Sequence, residues 1–234
     1  MTHVAQWRAT KVGRVNASRE RTYGGRLVVD RLDERRRQFI SAAIEVFGEK
    51  RYAASTVTEI CRVARLSRRQ FYELFDSRED LLLDTYDAIQ QQARDSVVAA
   101  VADAEADDLP GTVRVAMAAY IDAVGRENRR ARVAFVEIVG VSDRVEAHRD
   151  AVRGQWAKLI TELITSVGGT EPNAVGNSEL ATAAVIGAVN GLIHHWITHE
   201  SRPPIEELAD VLTSVLLAVL VPADGKPAGA PASA

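Results

Sequence analysis

The 234-residue sequence predicts an all-α fold of about nine helices, and three observations carry it. Apolar residues recur at i, i+3, i+4 and i+7 through most of the chain, the spacing of one helix face. β-branched residues follow that helical spacing rather than the alternation of a half-buried strand. Glycine at 15 and proline at 7 are too few for a fold of many tight turns.

Each element is placed by its own signals. Residues 1–30 carry Arg8, Lys11, Arg14, Arg19, Arg21 and Arg26 against Glu20 and Asp30, without periodicity, and are expected to form a flexible basic arm. Ile40, Ala43, Ile44 and Phe47 mark a first helix, and Val57, Ile60, Cys61 and Ala64 a second. A long amphipathic segment runs from about Arg78 to Ala104, with Leu82, Tyr86, Ile89, Ala93 and Val97 inward. Leu109-Pro110-Gly111 is expected to break it, and helices follow at about 112–126, 129–140 and 143–167. Gly168-Gly169 and Pro172-Asn173 mark a loop, and a strongly apolar helix follows at about 178–199. Arg202-Pro203-Pro204 ends it, a last helix spans about 205–221, and residues 222–234 read as a disordered Pro/Ala/Gly tail. No internal repeat is visible.

Hydrophobic residues at 47% and charged residues at 26% exclude wholesale disorder. The net charge of −3 conceals an asymmetry. Residues 1–80 hold 17 Lys/Arg against 11 Asp/Glu, a net of +6; residues 81–234 hold 12 against 21, a net of −9. A basic first third before an acidic remainder suggests a polyanion-binding module joined to something else. Cys61 is the only cysteine, so no intramolecular disulfide forms and a reducing, cytoplasmic setting is expected. No apolar run approaches the roughly 18–20 residues a membrane span needs; the most apolar stretch is Val215–Val221. MTHVAQWRATKVGR lacks the apolar stretch of a secretory signal, and no membrane partner is expected.

The informative stretch is Ser55–Leu81, where three helix starts follow one another. Thr56 precedes Glu59, Ser67 precedes Gln70 and Ser77 precedes Asp80, each with a capping side chain followed three residues later by a reciprocating one. Two helices of about seven residues lie between these caps, each too short to be stable alone. The apolar face of the preceding helix supplies what they pack against, and the result is a helix-turn-helix. In that motif the second helix enters the major groove of DNA with its first residues at the base edges. Here those residues are Arg68, Arg69 and Gln70; Arg pairs with guanine and Gln with adenine. Phe71, Leu74 and Phe75 form the inward side and Tyr72 turns outward, within reach of a phosphate or a thymine methyl.

From Arg35 to Leu83 the chain resembles the TetR family of bacterial transcriptional regulators. The pattern A-x-x-x-F-x-x-x-x-Y…T-V-x-x-I-x-x-x-A-x-x-S…F-Y-x-x-F-x-S-x-x-x-L carries the resemblance. The YGGR before the first helix and the R-x-x-F-Y-E-x-F segment look like a subgroup frequent in actinobacteria. The resemblance implies base contacts from Arg68, Arg69 and Gln70, and phosphate contacts from Thr56, Ser67, Tyr72 and Arg78. Thr58 stands where some members place a base-reading side chain, but is short enough to reach only the backbone. Three positions depart from the family pattern. Arg65 occupies a turn position that is usually glycine. Leu74 replaces a frequent histidine, which removes a phosphate contact. Glu73 puts a negative charge near the DNA, either to read a cytosine N4 or to select against poor sites.

For the rest of the chain, 81–221, the resemblance implies a helical ligand-binding and dimerisation domain. The last two helices are too apolar for exposed ones, and Ala184, Gly187, Ala188 and Gly191 permit close helix approach. With His195, Leu212 and Leu216 they are the expected contacts of a homodimer built on a four-helix interface. A two-fold dimer presents two reading helices to successive major grooves, so the double-stranded operator should be nearly palindromic. Tyr86, Met117, Tyr120, Phe135, Val139, Trp156 and Ile160 are candidate pocket residues, and their mix suggests a small apolar effector. Gln92, Glu137 or Asn190 could orient it. His194, His195 and His199 invite a metal, but Glu200 is the only helpfully placed carboxylate, so neither metal nor other cofactor is expected. The motifs of nucleotide-binding, serine and zinc enzymes are absent, so no catalytic residue is expected. Family members are mostly repressors, which the resemblance extends to this chain. The alternatives are an activator of the same fold and a helical adaptor whose DNA-binding head has degenerated.

Overall fold

The computed structural model describes residues 25–104, 108–168 and 178–220. The expected arm before Gly25, the loop from Gly169 through Asn177 and the tail after residue 221 lie outside the described residues. Nine α-helices appear among the described residues: α1 Gly25–Lys50, α2 Val57–Ala64, α3 Arg68–Tyr72, α4 Arg78–Asp103, α5 Leu109–Gly125, α6 Asn128–Arg132, α7 Asp143–Gly168, α8 Ser178–Thr198 and α9 Ile205–Leu220. The fold is all-α, with helix-turn-helix elements first and a helical bundle after them.

Helix α1 begins at Gly25, inside the stretch expected as arm. Its buried face is Phe39, Ala42, Ala43, Val46 and Phe47, and its exit at Arg51 is left-handed, with φ 72°. The long helix ends at Asp103, close to the expected Ala104, but Leu109-Pro110-Gly111 is not itself the break; it forms the first turn of α5. Proline is at home there because first-turn N–H groups have no helical acceptor. Asp108 Oδ1 accepts the Gly111 N–H at 2.7 Å and caps that turn. Helix α6 continues into a π-helical turn, Val133–Glu137, in which the Ile138 N–H reaches the Val133 carbonyl at 3.2 Å. Such turns are rare and concentrate at functional sites.

Helix α8 corrects one expectation, because Glu179–Thr198 is long and apolar enough to cross a membrane by length and composition. Thr182, Asn190, His194 and His195 interrupt the apolar run, but averaged along the helix they do not offset its Ala, Val and Ile residues. Ala181, Val185, Val189, Ile193 and Ile197 are buried at four-residue spacing, and α9, which packs on α8, buries Leu208, Leu212 and Leu216. Only 28% of the apolar window of this helix is buried within the chain.

The contacts divide the chain into two compact units. One holds the described residues through Ala93 together with Val124–Arg149; the other holds Arg94–Ala123 and the described residues from Asp150 onward. The first unit holds residues 31–80, which the sequence assigns to the helix-turn-helix domain, together with the rest of the start of α4, all of α6 with its π-turn, and the start of α7. Its helices approach closely at Gly48, where a Cβ would lie 2.6 Å from the Arg129 Cβ.

Candidate nucleic-acid interface

Three aromatic rings fix the short helix α3 to α1. Phe39 of α1 meets Phe71 edge-on at 5.4 Å and Phe75 edge-on at 5.9 Å, and all three are buried. Edge-to-face contacts of this kind add to the area they bury. They hold a helix of five residues that has no stability of its own.

The caps set where each helix starts. Thr56 Oγ1 accepts the Glu59 N–H at 3.2 Å. Ser67 Oγ accepts the Gln70 N–H at 3.2 Å, and Gln70 Oε1 accepts the Ser67 N–H at 2.8 Å, a complete capping box. Ser77 Oγ accepts the Asp80 N–H at 3.1 Å. Between α2 and α3 Arg65 takes the left-handed conformation, φ 56° and ψ 35°, and lets the Leu66 N–H reach the Cys61 carbonyl at 3.0 Å. Cys61 itself is buried, which pushes its thiol up from the ordinary value.

With the inward side chains anchored, Thr56, Thr58, Ser67, Arg68, Arg69 and Tyr72 are exposed. The Arg69 side chain is 90% exposed and Tyr72 is 51% exposed. These six residues therefore place two guanidinium groups, a phenol and three hydroxyls at the surface. Two other expected DNA contacts are otherwise engaged. Gln70 is half-buried, and its amide oxygen is held by the cap, also accepting the Ser67 hydroxyl at 2.9 Å. Arg78 is half-buried: it donates to the Ser55 carbonyl, and its guanidinium lies 4.3 Å from the centre of the Tyr52 ring. Leu74 is half-buried. Glu73 lies at the end of α3 and pairs with Arg69 and Arg35.

Glu137 is the residue whose role sequence reasoning did not place. Its side chain is 8% exposed; Oε2 accepts the Tyr52 N–H at 2.9 Å and Oε1 pairs with Arg132 at 3.3 Å. The carboxylate therefore braces the turn between α1 and α2 rather than standing free to orient a ligand. Outside the reading surface, α4 carries a row of carboxylates matched by other helices. Arg36 pairs with Asp84, Arg144 with Asp80, and His148 with Asp87 at 2.7 Å. Burial pushes the Asp84 carboxyl up from its ordinary value although Arg36 opposes it. The hydrogen bond from Arg144 holds Asp80 below its ordinary value.

The expected pocket residues fall in both units. Tyr86 and Phe135 are buried in the first unit, and Val139 in the same unit is 47% exposed. Met117 and Tyr120 are buried in the second, where Tyr120 meets the half-buried Trp156 edge-on at 4.9 Å, and Ile160 is also half-buried. The first unit has an open cleft of about 420 Å³ between α1, α4 and the start of α6, lined by Ile40, Ile44, Ile89, Gln92, Arg129 and Arg130 among others. Gln92 accepts from Arg130 at 2.6 Å there. None of the seven expected pocket residues lines this cleft. On α8, Ala184, Gly187, Gly191 and His195 are exposed and Ala188 is half-buried. A Cβ at Gly187 or Gly191 would meet nothing within 4 Å. Leu212 and Leu216 are buried within the chain itself, so they belong to its own α8–α9 packing. His195 and His199 stack at 3.6 Å, and among the described residues no three potential ligands gather for a metal.

Residues 39–85 match the family model of bacterial regulatory proteins of the tetR family. The HTH-type transcriptional regulator HbdR of Aromatoleum sp. (strain CIB) is 38% identical over 63 residues, 24% of this chain and 28% of that protein, so the chain aligns with under a third of that relative. The HTH-type transcriptional activator FasR of Mycolicibacterium smegmatis is 26% identical over 188 residues, covering 79% of this chain and 82% of that one. The transcriptional regulator FadR of Bacillus subtilis, solved in complex with stearoyl-CoA, shares the fold with a TM-score of 0.67. It is 15% identical over 77% of this chain and 97% of that one. The matched family consists of DNA-binding regulators, not enzymes.

Proposed function

We propose that this chain, whose residues 39–85 form the helix-turn-helix of the tetR-family regulators, is a homodimeric transcriptional regulator released from its operator by a small effector. One observation carries the reading: a capped helix, locked inward by Phe71 and Phe75, that leaves Arg68, Arg69 and Tyr72 exposed. Arg68 and Arg69 read bases, while Thr56, Thr58, Ser67 and Tyr72 reach phosphates. Gln70 reads adenine bidentately only by giving up the cap, since the cap holds its Oε1 and leaves only Nε2 to donate, and Arg78 reaches a phosphate only by leaving Tyr52. The open face of α8, with Ala184, Gly187 and Gly191, supports a two-fold dimer and hence a near-palindromic operator. The finer likeness, to a subgroup frequent in actinobacteria, rests on the YGGR and R-x-x-F-Y-E-x-F segments and belongs to this reading.

The effector is apolar in this reading, on the character of Met117, Tyr120, Trp156 and Ile160, which lie in one unit. The stearoyl-CoA bound to the FadR structure makes a long acyl thioester the first to try. Effector binding shifts the population toward dimers whose reading helices are wrongly spaced. The family majority favours repression and a cytoplasmic site of action. A second reading, activation, is favoured by the match to FasR, which is named an activator.

The test is a gel shift with DNA upstream of the chain's own gene, at two salt concentrations. Operator binding survives unlabelled random competitor and weakens steeply with salt. Binding abolished by the competitor favours an adaptor instead. Addition of stearoyl-CoA then tests release.

A further inference from the structure

Glu73 has its two carboxylate oxygens divided between two arginines. Oε1 accepts from Arg69 Nε at 3.2 Å, and Oε2 accepts from Arg35 Nη1 at 3.4 Å. Arg35 belongs to α1, the helix to which α3 is pinned by Phe39, Phe71 and Phe75. The carboxylate is thus tethered to the scaffold on one side. On the other it reaches one turn back along α3 to a guanidinium that is otherwise bare.

A guanidinium has five N–H donors and two edges able to make paired bonds, Nε with one Nη and the two Nη together. With Nε given to Glu73, the edge left for DNA is the end formed by the two Nη groups. Guanine presents O6 and N7 to such an edge in the major groove. Arg68 has no comparable tether among the ion pairs of the described residues. We propose that Glu73 is a positioning residue for base specificity. It holds Arg69 end-on for one guanine in each half-site, and its negative charge beside the phosphates weakens binding to DNA that lacks that guanine. Each Glu73 oxygen keeps a second lone pair, so the selection below separates this tethering from direct reading of a cytosine. The inference rests on the DNA-binding reading above.

The experiment is selection from random duplex DNA by the full chain, comparing wild type with R69A, E73Q, E73A and R35M. Wild type should recover a near-palindrome with a guanine at one symmetric position, and R69A should erase that preference. E73Q and E73A should weaken the same position by about three- to tenfold, less than the full discrimination of a bidentate pair. They should also raise affinity for random DNA by about twofold, since a like charge has left the phosphate surface. R35M should weaken the same position without that gain. A preference unchanged in both Glu73 variants overturns the proposal. So does broadening at a position other than the one R69A erases, which makes Glu73 a direct reader. A parallel loss of specific and random binding overturns it too, as the mark of a merely structural role. A wild-type chain that selects no sequence removes the DNA-binding reading itself, and this inference with it.

Discussion

Glu137 Oε2 accepts the backbone N–H of Tyr52 at 2.9 Å, from 85 residues further along the chain. The pairing ties the π-helical turn to the turn that precedes α2. From Tyr52 the connection continues through its ring to the Arg78 guanidinium, and from Arg78 to the Ser55 carbonyl, one residue before the Thr56 cap. Removing the carboxylate strands a backbone N–H and leaves Arg132 without its partner. Glu137→Ala should cost about 2–3 kcal/mol in denaturant unfolding. Glu137→Gln, which keeps an acceptor for the N–H, should cost about 1 kcal/mol. Amide exchange at Tyr52 should rise in the alanine variant before it rises in α4.

Arg65 sits at φ 56° and ψ 35°, where its Cβ crowds the following carbonyl. Replacing it with glycine relieves roughly 1–2 kcal/mol of strain and returns part of that as unfolded-chain entropy. Arg65→Gly should raise stability by about 0.5–1 kcal/mol, within the range those two opposing terms leave. A melting temperature that stays level or falls would show that the turn is not strained.

Gly48 permits α1 and α6 to touch through backbone. A Cβ there would lie 2.6 Å from the Arg129 Cβ, 2.8 Å from its Cα and 3.0 Å from its carbonyl oxygen. None of these is the far end of a flexible side chain, so the helices themselves would have to part. Gly48→Ala should lose about 2–3 kcal/mol despite alanine's better helix propensity. A neutral result in thermal melts would show that the two helices separate at little cost.

Asp84 and Asp80 should give pH dependences of opposite sign. Burial raises Asp84 above its ordinary 3.8, so the folded chain holds that proton more tightly and loses stability as pH rises through the window above 3.8. Arg144 lowers Asp80 below 3.8, so its contribution is present above that value and is lost as pH falls through the lowered one. Melting temperatures between about pH 3 and pH 7 should show Asp84→Asn gaining on wild type as pH rises, and Asp80→Asn falling behind. Parallel curves would refute both.

Gly191 faces open space on α8. Gly191→Glu should therefore leave the chain's own helix content intact while setting two carboxylates against each other across the proposed two-fold axis. Sedimentation should show monomers. A dimer that withstands the substitution places the interface elsewhere, and Leu212 does not rescue it, because Leu212 is already fully buried within its own chain.

What the sequence made readable was local. The caps at Thr56, Ser67 and Ser77 lie within three residues of the groups they bond, so residue type and spacing suffice to find them. The inward set Phe71 and Phe75 followed from the same helical spacing. The left-handed turn at Arg65 was readable for a different reason, since the family resemblance places glycine there. The missing parts depend on distance along the chain. No local signal tells that Glu137 will meet Tyr52, or that Arg78 will stack on Tyr52 instead of pointing outward. The early start of α1 was hidden because Asp30, Arg31, Asp33 and Glu34 are all exposed and show no buried stripe. Pro110 reads as a break in the sequence because its tolerance at a first helical turn depends on where the turn begins. Glu73 was visible as a charge in an unexpected place, but only the approach of Arg35 from another helix shows where its oxygens go.

The grip on α3 comes from Phe71, Phe75 and the Ser67–Gln70 cap, none of which the proposed base reading by Arg68 and Arg69 requires. Residues 68, 69 and 72 are consequently free to change without loosening the helix that displays them. A lineage carrying this head can acquire a new operator by exchanging those surface positions, one at a time, while every intermediate remains folded.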